Sequence, residues 1–387
     1  MINVKLLSLI ASSQRKKGKN NLLSTTLSSG HIMLLPVGQM LLEQIVSIVK
    51  KHMDPISIAV TLPSIQSSSM LEATGRLENF GDSIYMIDND QFFLAPTCEE
   101  AITVWLKSIL DSYKVLPVSF YQISTKYRKE ARSRGGLLRT REFLMKDSYS
   151  FHQTSKSLEQ SRLAHHQAYT DIFAELDIPI HQATADPTAM LGLSSTEWCF
   201  SHKLGDDIIV SQDGQKFYNK ELVKDISDYK YQKRVIELGH TFDIGQYFSK
   251  KLNLICKDSQ QKYFYPLLGC YGMGISRLLE CIGLRFYKDD KLSLPKSLNT
   301  FHCGIMFRSG YDDCLVQTLR KNGFNTLVDS GSGLNVSQCA SWFEHFGCRF
   351  NIIVNTSSEA PYIISGSDIP QTKLSTISQI CNILSNR

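Results

Sequence analysis

Residues 127–152, YRKEARSRGGLLRTREFLMKDSYSFH, leave the fewest structural choices open in this chain. Two runs of extended character flank a basic turn that holds Arg132, Arg134, Gly135 and Gly136. Side chains two apart in a strand share a face. Arg128 and Glu130 therefore point the same way on the first run, and Arg141, Phe143, Met145, Asp147 and Tyr149 do so on the second. Paired as antiparallel neighbours, the runs offer an arginine, two acids and an aromatic ring on one surface. A guanidinium grips phosphate bidentately and keeps its charge. A phenylalanine face stacks on a purine, and a glutamate accepts from an exocyclic amino group. The plainer account of the same pattern is a solvated basic hairpin, which is what charge runs more often are.

With 387 residues the chain is long enough for two domains. Its net charge of +5 allows a nucleic-acid partner without requiring one. No apolar run approaches the length of a membrane span. Ten cysteines occur without a CxxC pair or a Cys/His cluster of zinc spacing, so they read as reduced thiols, which implies an intracellular or matrix compartment.

Residues 1–42 contain no Asp or Glu, while Lys5, Arg15, Lys16, Lys17 and Lys19 fall among serines and threonines. Such beginnings resemble organellar transit peptides; a basic surface arm is the other reading. From Met40, apolar residues at Leu41, Ile45, Ile48, Val49 and Met53 predict a helix, followed by a strand over 56–62 that ends at Pro63. With Leu42 the apolar arc exceeds one narrow stripe, so it predicts contacts on more than one side, as in a dimer. Packing beneath strands of the same chain is the alternative.

Residues 92–100 read FFLAPTCEE. In extended backbone Thr97 and Glu99 share a face suited to a substrate ammonium; alone, TCEE reads as the start of the helix over 101–110. A helix is predicted over 155–176, with His165 and His166 packed or at the surface rather than acting as ligands. Residues 269–280, GCYGMGISRLLE, form a glycine turn entering a helix. Arg277 occupies the third glycine position of a GxGxxG pattern, and no βαβ unit precedes it, which argues against a dinucleotide site. Instead, Gly272 and Gly274 permit close approach of a ligand to backbone. Arg277 sits in the helix's first turn, where the helix dipole adds positive potential. From Phe301 the pattern turns βαβα-like: strands at 301–307, 325–328 and 350–354 alternate with helices near 312–321, 337–346 and 373–384.

Taken together, these stretches resemble prolyl-tRNA synthetases of the bacterial and mitochondrial type, within the class II aminoacyl-tRNA synthetases. Residues 40–63 are similar to motif 1, 127–152 to motif 2 and 269–280 to motif 3, in that order. The resemblance implies an α+β fold: a class II synthetase core, an antiparallel β-sheet flanked by helices, over 26–292. A basic segment, 1–25, would precede it, and a smaller α/β anticodon-binding-like domain, 298–387, would follow. It implies a proline–tRNA ligase that consumes ATP with Mg2+, charges tRNA(Pro) and pairs as a homodimer through motif 1. The location would be the mitochondrial matrix, or the cytoplasm if the N-terminal segment is not a transit peptide.

By the same resemblance Arg128 and Arg277 are the catalytic pair, clamping ATP. Glu130 reads the adenine amino group, Phe143 stacks on the base, and Arg139, Glu237, Thr241 and Gly274 complete the nucleotide site. Thr97, Glu99, Arg128, Asp147, Trp198 and His240 hold proline, and no residue is assigned to a metal. For His240 a structural hydrogen-bonding role is nearly as well supported. The family's usual Ser-His-Glu-Phe appears as Ser195-Thr196-Glu197-Trp198, with Trp198 as an aromatic wall, and Asp243 stands where glutamine is common. Between residues 188 and 207 there is no room for the family's hydrolytic insertion. A non-catalytic relative that binds tRNA or other nucleic acid would lose Arg128 and Arg277, and both are present. A threonyl enzyme would show a Cys/His/His zinc set, which is not found; a glycyl enzyme is the remaining relative.

Overall fold

The computed structural model describes residue 7 and residues 23–110, 112–309, 311–329, 333–366 and 369–385. The basic cluster from Lys5 to Lys19, on which the transit-peptide reading rests, lies outside them. The chain forms two compact units. One comprises Thr26–Met33 and Gln44–Cys281; the other comprises Met1–Thr25, Leu34–Glu43 and Ile282–Arg387. The division falls within the helix Ile275–Phe286.

The larger unit is built on a nine-stranded sheet. Its strands, in chain order, are β1 (Ile58–Ala59), β2 (Val118–Tyr127), β3 (Glu142–His152), β4 (His181–Ala185), β5 (Ser194–Ser201), β6 (Asp207–Ser211), β7 (Phe217–Asn219), β8 (Tyr231–Gly245) and β9 (Leu267–Gly274). They lie in the order β5-β4-β7-β6-β8-β9-β3-β2-β1, and β5 also pairs with β8. All ladders are antiparallel except β1 with β2 and β4 with β7. The expected hairpin is present as β2 and β3, paired from Val118↔Phe151 to Tyr127↔Glu142.

The extra β5–β8 ladder closes β4 to β8 into a five-stranded ring. One apolar side chain from each strand fills it: Ala183, Cys199, Ile209, Phe217 and Val235. Each is too small or too alone to form a core; closing the ring lets five short strands bury their inner faces without a free edge. Only residues 202–230 separate β5 from β8, and they supply β6 and β7 themselves.

Helices cover one face. Thr154 caps the Ser155–Glu175 helix, accepting from the Ser157 amide at 3.2 Å. That helix buries Leu158, His165, Ala168, Tyr169, Ile172 and Phe173. In the expected dimer helix, observed as Pro36–Met53, the residues Leu41, Ile45, Ile48, Val49 and Met53 are all buried within this single chain. Their burial therefore does not by itself require a partner.

The smaller unit carries a five-stranded sheet in the order Thr326–Asp329, Phe301–Ser309, Cys348–Asn355, Tyr362–Gly366, Ile369–Leu374. The first three strands are parallel, joined by the helices Asp313–Lys321 and Val336–His345. The pattern from 373 onward was expected to be helical throughout; instead a strand runs to Leu374 and the helix is Ile377–Ser385.

Candidate active site

Strand register brings the site together. One row of paired residues crosses five strands: Gln122, Asp147, Gly272, His240 and Glu197. A neighbouring row carries Ser124, Met145 and Gly274, and another carries Phe120, Tyr149, Cys270 and Phe242. Gly272 and Gly274 therefore sit mid-sheet between rows of large side chains and leave a hollow. It is a cavity of about 280 Å3, lined by Thr97, Glu99, Arg128, Glu130, Arg139, Phe143, Asp147, Glu237, His240, Gly274 and Arg277 among others. Eleven of the thirteen residues singled out from the sequence thus share one cavity.

One end is acidic and buried. Glu99, at the start of the Glu99–Ile109 helix, is 0% exposed. Its carboxylate accepts from Thr97 Oγ1, from Arg76 Nη1 at 3.0 Å and from Cys270 Sγ at 3.2 Å. Burial acts to raise its pKa, but Arg76 and Thr97 outweigh it and hold Glu99 below the usual carboxylate range. Because the Thr97 hydroxyl donates to Glu99, its lone pairs remain free to accept from a ligand N–H. Asp147 accepts from Tyr149 Oη at 2.5 Å, Gln122 at 3.0 Å and Lys126 at 3.2 Å, all on Oδ2; its buried Oδ1 has no partner among the described residues.

The other end is basic. Arg128, just past β2, has its guanidinium carbon 5.3 Å from the Phe143 ring centroid. Burial depresses its pKa, Glu237 opposes that, and Arg277 adds to it. Arg277, in the first turn of its helix, donates to the carbonyls of Leu138 at 2.9 Å and Glu237 at 2.6 Å. Arg277 also lies 3.8 Å from the Glu237 carboxylate, and two guanidinium groups around one hollow suit a polyanion. Arg139 lies 4.0 Å from Glu130 and 3.4 Å from Asp206. The turn before it is held by Glu280, which accepts from the Leu137 amide at 3.0 Å.

A β-bulge places Glu237. The β5–β8 register shifts so that Trp198 faces Gly239 but Cys199 faces Glu237, leaving Leu238 extra. Glu237 and His240 are three apart and would alternate to opposite faces; the bulge returns both to the cavity, 3.7 Å apart. Glu197 stands close by, and burial, reinforced by Glu237, pushes it up to about 8.

Two expected residues are elsewhere. Trp198 is not a wall of the cavity. Strand alternation sends it to the opposite face of β5, where it packs edge-on against His166 and Tyr169 and stacks on Phe173; its neighbour Glu197 takes the other face, opposite His240. Thr241 also faces the helix, paired with His166 Nε2 at 2.9 Å. The sequence reading overlooked Arg76 and took Cys270, with the other cysteines, only for a reduced thiol. No local pattern marks Arg76, because its role comes from contact with residues 23 and 24 positions away.

Residues 83–284 match the model of the tRNA synthetase class II core domain (G, H, P, S and T). The proline--tRNA ligase of Anaplasma marginale is 30% identical over 333 residues, covering 78% of this chain and 77% of that protein. The proline--tRNA ligase of Lysinibacillus sphaericus is 37% identical over 209 residues, 52% of this chain, and the match spans only 37% of that ligase's length. Among solved structures, the Giardia lamblia prolyl-tRNA synthetase in complex with prolyl-adenylate aligns with a TM-score of 0.75 at 16% identity, covering 99% of this chain and 80% of that one. The Cryptosporidium parvum enzyme complexed with halofuginone and AMPPNP aligns with a TM-score of 0.73 at 15% identity, covering 98% and 77%. At such identity the two structures speak for the fold.

Proposed function

The chain belongs to the class II tRNA synthetase family, among its proline--tRNA ligases, and from that premise we propose that it activates proline with ATP and charges tRNA(Pro). One observation carries the reading: a single cavity joins a buried acidic end, Thr97 and Glu99, to an arginine clamp, Arg128 and Arg277. Proline's imino cation lies at the acidic end, and its carboxylate is directed toward Arg128. The carboxylate attacks the α-phosphorus, an oxygen–phosphorus bond forms, and pyrophosphate leaves toward Arg277. Phe143 and Glu130 receive the adenine. The terminal ribose hydroxyl of tRNA then attacks the prolyl-adenylate carbonyl and AMP departs. Positioning and charge stabilisation dominate this chemistry. Mg2+ would neutralise charge on the ATP phosphates, and Glu237 would offer it a hard oxygen donor, with ligand atoms of Glu197 and His240 within 4.8 Å. We assign the smaller unit to the anticodon, and the location to the mitochondrial matrix, or to the cytoplasm if the N-terminal segment is not a transit peptide.

The test is proline-dependent ATP–pyrophosphate exchange across twenty amino acids. Arg277→Ala is expected to lower proline exchange by about 2–4 kcal/mol of transition-state stabilisation. Exchange with another amino acid only, or an unimpaired variant, would refute the assignment.

A homodimer is part of the proposal, with its interface moved from the buried helix residues to the sheet edge. Ile58 on edge strand β1 is 60% exposed and pairs with Phe120, against which the 39%-exposed Trp105 packs at 5.1 Å; Ile109, one helical turn from Trp105, is 54% exposed. Such an apolar edge is a docking surface for a second copy. Light scattering is expected to give a dimer mass that Ile58→Asp reduces. A fully active wild-type monomer would sink the dimer requirement.

A further inference from the structure

Behind the acidic end of the cavity lies a buried cluster of charges. Arg76, 3% exposed, is shared by two adjacent carboxylates. Its Nη1 lies 3.0 Å from Glu99 Oε2 and 3.1 Å from both oxygens of Glu100. Its guanidinium carbon also sits 4.8 Å from the Phe80 ring centroid and 5.3 Å from that of Phe248, so its remaining surroundings are apolar. Glu100 accepts from Thr74 Oγ1 at 3.0 Å and, among the described residues, has Arg76 as its one cationic partner. It does not line the cavity. Next to this triad, joined through Tyr149, Asp147 is matched by Lys126 but keeps Oδ1 unpartnered among the described residues. Arg76 and Lys126 are the ion-pair partners of these three buried carboxylates, and Arg128 is a further cation acting on Glu99.

Buried charge is tolerated only when it is paired. We propose that Glu100 is a positioning residue for substrate charge. It occupies half of Arg76, so that Glu99 is incompletely neutralised, and the pocket is thereby a receptor for a monocation, proline's secondary ammonium, delivered to Thr97 and Glu99. Burial pushes the Glu100 carboxyl above its ordinary range, with Arg76 opposing and Glu99 adding to it. This rests on the proline-activation reading and adds to it a residue outside the cavity that sets the affinity for the cation.

The experiment is ATP–pyrophosphate exchange with Glu100→Gln and Glu100→Asp, measuring the KM for proline and the KM for ATP separately. Thermal unfolding is recorded alongside. Gln removes the charge at nearly constant shape, so Arg76 turns wholly to Glu99. The KM for proline is expected to rise at least tenfold, while the KM for ATP stays within twofold; Asp keeps the proline KM within threefold of wild type. Tetrahydrofuran-2-carboxylate, an analogue with an uncharged ring oxygen in place of the imino nitrogen, serves as an inhibitor. The preference for proline over it is expected to shrink tenfold in the Gln variant. An unchanged proline KM in a folded Gln variant overturns the proposal, as does a loss that Asp fails to rescue or that strikes both substrates equally. Absence of proline exchange in the wild type would instead overturn the functional reading itself.

Discussion

Lys146 gives the sharpest test of the sheet's other face. It neighbours Asp147 on β3, so alternation turns it away from the cavity, and it is 0% exposed. Its Nζ donates to Tyr169 Oη at 2.9 Å and to the Tyr271 carbonyl at 3.0 Å, with the Tyr169 ring centroid 4.6 Å away. Neither partner carries a full charge. Burial therefore pulls its pKa down to about 7, with Asp147 opposing from across the sheet. In the unfolded chain a lysine titrates near 10.4. The folded pKa is the lower one, so between these values the unfolded state binds more protons and stability rises with pH. From pH 6.5 to 9.5 this one group should add about 3 kcal/mol to the stability of the wild type. Lys146→Met has no such group. Urea unfolding of both proteins at several pH values in that range measures the difference between them, in which the titrations of the other groups cancel. At pH 6.5 the variant should be at its best relative to wild type, and the wild type should then gain about 3 kcal/mol on it by pH 9.5. Leaving Tyr169 Oη and the Tyr271 carbonyl without a donor shifts the whole curve by about 1–3 kcal/mol but does not tilt it. A difference that is flat with pH would refute the reasoning, because it would mean that Lys146 is charged in the folded protein throughout.

Trp198→Ala is expected to cost about 3–5 kcal/mol of stability, read by urea unfolding, with the KM for proline unchanged in the protein that remains folded. Gly136→Ala places a Cβ 2.7 Å from Glu280 Oε2 at a φ of +63°. It is expected to loosen the 129–141 turn and cost about 1–2 kcal/mol, with a raised KM for ATP in exchange assays. Alanyl-tRNA carrying the proline anticodon is expected to persist in the presence of the purified protein, because 202–230 only complete the small barrel. On the proposed activity, a pocket shaped for proline would reject alanine by no more than about 1–3 kcal/mol, and rapid deacylation would contradict this.

The sequence alone determined the parts governed by short-range geometry. Alternation in residues 141–149 put Phe143, Met145 and Asp147 on the cavity face, and the glycine turn before Arg277 placed that guanidinium in a helix's first turn. Both follow from backbone periods of 2 and 3.6 residues, which a reader can count. Three features awaited the tertiary structure. The bulge at Leu238 reverses the parity of Glu237, and nothing local in ELGHTFDIG announces an extra residue; the register with β5 decides it. The same register sends Trp198 to the helix face and Glu197 to the other face, opposite His240, against the reading of an aromatic wall. The apolar arc of the Pro36–Met53 helix states that Ile45 and Ile48 must be covered, but hydrophobicity carries no label for what covers them, and here it is the same chain. Arg76 is the clearest case. A charge becomes part of a site through desolvation and through partners distant in sequence, and both are properties of the folded packing rather than of any stretch of residues.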